Sequence, residues 1–134
     1  MIKRTPGWQR RLAVYLGTVA RSPFAFGSQD CALFAAGAVE AMTGTDLAAS
    51  YRGRYTTLRG GLRIMRRDGF ADHIAFFGHH LPDRDGPPQP GDLAVVPTDD
   101  GPALGVVQGD QIYVTSPGGL ALVPLGDAPR FLRV

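Results

Sequence analysis

The sequence contains one cysteine, so no disulfide forms within the chain, and that thiol with three histidines shows no zinc-ligand spacing. Lysine is nearly absent: thirteen of the fourteen cationic residues are arginine, whose planar fork suits bidentate contact with carboxylates and phosphates. No stretch approaches the roughly 20 apolar residues that span a bilayer. The first residues, MIKRTPGWQRR, run into charge where a signal peptide would carry its apolar segment. These absences predict a soluble chain with no export signal, no membrane span and no structural metal. A glycine-rich phosphate loop is also missing, so no cofactor is expected.

What is present is an ordinary globular composition, with 44% hydrophobic and 19% charged residues. At 134 residues the chain fits one domain with its own core. Gly and Pro make up 29 of those residues, which predicts short elements broken by turns. The net charge of +2 conceals a split. Residues 1–67 carry eleven cations against three acids, and residues 68–134 carry three against nine, giving +8 and −6. Such asymmetry points to polyanion binding or to charge-matched assembly. The densest cluster is Arg52, Arg54, Arg59, Arg63, Arg66 and Arg67. It reads as a solvated helix face pairing with the acidic half, or as a protein interface. No nucleic-acid motif or aromatic platform accompanies it, so nucleic acid is not an expected partner.

The pattern along the chain changes once. Thr5-Pro6 predicts a helix start, followed by Trp8, Leu12, Tyr15, Leu16 and Val19 at helical spacing over about residues 6–20. Ser28 or Asp30 would cap a second, Ala-rich helix from Cys31 to Met42, closed by Gly44. Thr45-Asp46-Leu47 predicts a helical turn, and about 57–67 a further helix closed by Gly69. Phe70, Ile74 and Phe77 keep a helical period through a fourth segment. Residues 81–91 (LPDRDGPPQPG) hold four prolines and two glycines and predict an irregular loop. Beyond it, residues 92–97, 103–108, 111–116, 119–125 and 130–134 read as strands, with Gly109-Asp110 as a tight hairpin turn. The expected fold is α+β in one domain over 1–134: helices over about 5–80, the loop over 81–91, and a sheet of four to five strands over about 92–134. That sheet is expected to be an antiparallel meander with the helices on one side.

Cys31 would lie in the first turn of its helix, where free backbone N–H groups and the helix dipole favour thiolate. It could equally be a small buried residue of an Ala-rich helix. The order of parts, PFAFGSQDCALFAAGAVEAMTG, then a Pro-rich loop, then PGDLAVVPTDDGPALGVVQGDQIYV, resembles the NlpC-type papain-like cysteine peptidases. Within them it is most similar to a compact group found among tail genes of tailed phages and prophages. The resemblance covers roughly residues 8–134. It places the nucleophile at Cys31 beside Asp30, and Pro90-Gly91-Asp92 ahead of the first strand. Gly105 takes the place of the glycine in the family's His-x-Gly pattern, which puts Ala103 where the catalytic histidine stands. The orienting polar position falls on Val114 or Thr115.

An alanine takes no proton, so the resemblance implies a degenerate peptidase, and three readings stay open. The leading one is a structural subunit of a phage or phage-derived tail tip or hub, located in the virion tail, made in the bacterial cytoplasm, and partnered by other tail proteins. In the second, Cys31 cleaves cell-wall peptides during genome entry with His79 or His80 as an unorthodox base. The third is a module that binds cell-wall peptide without cutting it. All three histidines, His73, His79 and His80, precede the sheet, so a base among them requires that segment to fold over Cys31. The acid pairs Asp83/Asp85 and Asp99/Asp100 lie in Pro- and Gly-rich turns, where aspartate serves the backbone.

Overall fold

The computed structural model describes residues 2–134 and is an α+β fold, with four helices followed by one five-stranded antiparallel sheet. The helices are α1 (Trp8–Val19), α2 (Cys31–Thr43), α3 (Leu58–Arg67) and α4 (His73–His80). Their starts follow capping chemistry. Asp30 accepts from the Leu33 N–H at 2.9 Å, Thr57 from Gly60 at 3.0 Å, and Asp72 from Ala75 at 2.8 Å. Gly44, at φ 81°, closes α2 by donating to the Glu40 carbonyl. The expected start of α1 moves. Gly7 is its first flanking residue and no side chain caps it, because the Thr5 hydroxyl is directed to the Met42 carbonyl at the end of α2.

α2 is the central element. Ala32 through Val39 are buried without a break, so the helix is apolar all round, as an interior helix should be. α1 lies against it through Leu12 and Leu16, and the Tyr15 hydroxyl donates to the Phe34 carbonyl at 2.8 Å. Gly37 permits that approach, since a Cβ there would meet the Tyr15 ring.

The strands are β1 (Leu93–Thr98), β2 (Gly101–Gln108), β3 (Gln111–Ser116), β4 (Gly119–Pro124) and β5 (Arg130–Leu132). Gly109-Asp110 makes the two-residue turn closed by the Gln108–Gln111 pair. The order is β4-β3-β2-β1-β5, so only the first four strands form a meander. β5 returns beside β1, opposite the edge it leaves. Both faces of the sheet are covered as a result. Leu93, Val95, Leu104 and Val106 enter the main core with the helices. Ala94, Val96, Val107 and Ile112 form a second cluster with Leu125 and Ala128 of the β4–β5 crossover. This explains why β1 reads as an unbroken apolar run and not as an alternation.

The proline-rich loop is held by one carboxylate. Asp92 is fully buried, and Arg84 clamps it with two bonds of 2.8 and 2.9 Å. The Gln89 N–H donates to it at 2.8 Å, and Arg4 and the Val134 N–H reach it at 3.4 Å. Arg4 also donates to the Val134 carbonyl at 2.9 Å, which ties both ends of the described chain to the start of β1. Gly91 precedes this aspartate at φ 88°, where a Cβ would come within 2.6 Å of the Met42 sulfur.

Removing the buried carboxylate would leave two partly exposed arginines and the Gln89 and Val134 N–H groups without their partner, a loss of about 1–3 kcal/mol. Asp92→Ala is expected to lose that much in urea denaturation with an unchanged m-value. A loss below about 1 kcal/mol, the net worth of a single ordinary hydrogen bond, would contradict this assignment.

Candidate functional site

Asp30 and Cys31 open α2, and Asp30 fixes both the helix start and the loops around it. One carboxylate oxygen accepts from Leu33, and the other accepts from the Gly27 N–H at 3.0 Å and the Tyr55 hydroxyl at 2.5 Å. Gly27, at φ 84°, sits so close to the Tyr55 carbonyl that a Cβ would collide with it. Tyr55 is thereby pinned beside Cys31. Burial, reinforced by the Asp30 carboxylate, holds its phenol proton well above the usual tyrosine range. Asp30 is therefore occupied in structure, with three donors on two oxygens.

Cys31 faces a cavity of about 60 Å³ walled mainly by Phe24, Phe26, Tyr55, Leu58, Leu62 and Met65. Two opposing influences act on its sulfur. Backbone N–H groups of Leu104, Ala32 and Cys31 itself favour the thiolate, in keeping with a helix start. Burial in an apolar slot disfavours it more strongly, and the neighbouring Asp30 charge adds to that. Burial wins: the thiol is pushed up from 9.0 to about 11.

The strand positions expected to complete a catalytic set lie elsewhere. Leu104 enters the main core, so alternation along β2 directs Ala103 to the opposite face, beside its partner Val96 of the second cluster. Ala103 does not line the Cys31 cavity. Val114 packs into that second cluster, and Thr115 pairs with Leu120 toward the β4 edge. Gly105 has a structural cause of its own, because a Cβ there would meet Ile112 and come within 2.8 Å of the Tyr113 carbonyl.

The histidines divide along α4. His79 and His80 occupy its last turn, where both rings lie against Phe70 and His80 also meets the edge of Phe76. They line a separate groove with Lys3 and Arg133, so the structure does not bring them to Cys31. Burial, with His79 beside it, lowers the pKa of His80. His73, the first residue of α4, does line the Cys31 cavity. Its Nε2 lies 2.9 Å from the Pro102 carbonyl, an arrangement in which Nε2 carries the proton and donates. The sequence offers one signal for this placement: Asp72 caps the helix, which fixes His73 at its mouth. The contact with β2, 29 residues further on, has no local signature.

Arg52 pairs with Asp46 at 2.9 Å, within its own half of the chain. Arg67 makes a 3.8 Å contact with Asp68 in open solvent. Arg54, Arg59, Arg63 and Arg66 are exposed and have no carboxylate within 4.0 Å among the described residues. Of the expected pairing of this cluster with the acidic half, the fold makes only the exposed contact between neighbours Arg67 and Asp68 among the described residues. Among the described residues no group of three His, Cys, Asp or Glu is placed to hold a metal ion, and no helix is long and apolar enough to cross a membrane.

A family model described as "Domain of unknown function (DUF6950)" matches residues 3–134. The chain belongs to the DUF6950 family. No curated protein and no solved structure matches it. For this DUF6950 domain the chemistry of the site accordingly rests on the thiol and its surroundings.

The raised thiol pKa sets a clear expectation. Iodoacetamide should label Cys31 slowly at pH 7–9, with the rate climbing toward a midpoint near 11. The folded state holds this proton more tightly than the unfolded chain, so the group's contribution to stability is complete below about 9 and is lost as pH rises through 11. Rapid labelling at pH 7 in the folded protein would overturn this picture.

Proposed function

We propose that this chain is a non-catalytic domain of NlpC-like, papain-like type that serves as a structural subunit at the tail tip or hub of a phage or phage-derived particle. The observation that carries the reading is the state of Cys31: a protonated sulfur in an apolar slot, with backbone N–H groups around it. Nucleophilic catalysis needs the reverse, a thiolate held by a hydrogen-bonded base. Ala103, at the base position, lies on the other face of β2. The tail setting comes from the resemblance carried by Asp30-Cys31 and Pro90-Gly91-Asp92. The unpaired arginines of α3 support a role in docking.

One observation favours a second reading, a cysteine amidase. His73 shares the cavity with Cys31, and its Nε2 is anchored by a carbonyl, which leaves Nδ1 as the ring nitrogen able to take a proton. Amide cleavage would then run with Cys31 as nucleophile and His73 as base, once the slot opened to a substrate.

Purified peptidoglycan separates the two. The structural reading expects no peptide release from the parent protein and stoichiometric copies of the chain in purified particles. Release that disappears in both Cys31→Ala and His73→Ala would establish the amidase reading instead, and absence of the chain from particles would remove the structural one.

A further inference from the structure

α3 has two working faces and no acidic residue. Leu58, Gly61, Leu62 and Met65 wall the Cys31 slot. Arg59, Arg63, Arg66 and Arg67 follow at helical spacing on the adjoining face, with Arg59 and Arg66 only about 40–60° around the helix from Leu62 at 100° per residue. The helix dipole accounts for Arg66 and Arg67, which sit in the last turn, where cations are favoured. It does not account for Arg59, the second residue, where the dipole repels a cation, nor for Arg63 at i+4 from it, where like charges repel each other. Among the described residues no carboxylate lies within 4.0 Å of Arg59 or Arg63 to offset this repulsion. Leu58, at the mouth of the slot, is 45% exposed, an unusual place for a large aliphatic side chain beside so much charge.

We propose that the arginine stripe of α3 and the apolar slot beneath it form one docking surface for an acidic segment of a partner protein. The arginines take its carboxylates and the slot takes one small aliphatic side chain. This deepens the docking role proposed above and rests on it. Arginine forks match carboxylates and phosphates alike, and a surface for single-stranded nucleic acid would add free aromatic rings for bases to stack upon. The rings of the slot wall are engaged within the fold: Phe24 and Phe26 pack edge to face at 4.8 Å, and Tyr55 lies against Gly61 of α3 with its hydroxyl on Asp30. The slot, lined almost wholly by apolar side chains, offers few polar partners to a base or a sugar and suits a few aliphatic carbons.

The test uses fluorescein-labelled, glutamate-rich peptides with a central Leu or a central Ser, and a single-stranded DNA of equal charge, read by anisotropy against the full chain. The Leu peptide is expected to bind roughly tenfold more tightly than the Ser peptide, as burial of one aliphatic side chain predicts. Arg59→Glu/Arg63→Glu should weaken both peptides by roughly tenfold or more, with the loss fading at high salt. Leu58→Ser, at an exposed site that leaves the core intact, should abolish the preference for Leu while keeping the salt-dependent part. Equal binding of the two peptides, tighter binding of DNA, or no effect of charge reversal would each overturn the proposal. Self-association of the chain that is lost in the reversed variant would reassign the stripe to a second copy and overturn it as well. Failure here with the chain still present in particles discards this surface alone, whereas peptidoglycan cleavage discards the structural reading itself.

Discussion

The carboxylate of Asp92, itself without solvent contact, receives the partly exposed Arg84 and Arg4, the Gln89 N–H and the Val134 N–H. Three parts of the chain that regular structure leaves free converge there: the segment before α1, the proline-rich loop and the residues after β5. A buried charge tolerates this only when its lone pairs are filled, and here each oxygen has at least two donors. The same contacts bring Gly91, just ahead of β1, up to Met42 near the end of α2, while α2 packs on the sheet mainly through β2.

The chemistry of Cys31 is decided at the opposite end of α2. A helix start alone would make the thiol acidic, and the N–H groups of Ala32 and Cys31 pull in that direction. Yet the 52–57 segment, closed down by the Tyr55–Asp30 bond and by the Gly53 N–H to the Gly27 carbonyl at 2.9 Å, holds Tyr55 in the slot wall and leaves Cys31 only partly exposed among apolar side chains. The loss of solvation exceeds the gain from the helix end. One aspartate thus caps the helix that would activate the sulfur and anchors the segment that silences it.

Much of the architecture was legible because it is written locally. Asp30 and Gly44 bracket α2 as capping rules predict, and Val- and Leu-rich runs between Gly and Pro turns mark the strands to within a few residues. What stayed hidden depends on contacts between distant residues. The α1 start shifts because Thr5 bonds to Met42. β5 settles beside β1 because the crossover covers an apolar face that periodicity read as ordinary strand interior. Ala103 lies away from Cys31 by the parity of a single residue along β2, and His73 reaches the slot only through its bond to Pro102. Of the residues singled out in the sequence, Asp30 and Cys31 line the slot, while His79, His80, Val114 and Thr115 do not.

The central claim is that Cys31 is a partly buried neutral thiol and not half of an ion pair with His73. A pH titration of the Cys31 ¹³Cβ and His73 ring resonances by NMR tests it most directly. The account predicts a single Cys31 transition near 11, unmoved by His73→Ala. A thiolate signal at neutral pH that titrates together with His73 and vanishes in that variant would contradict it.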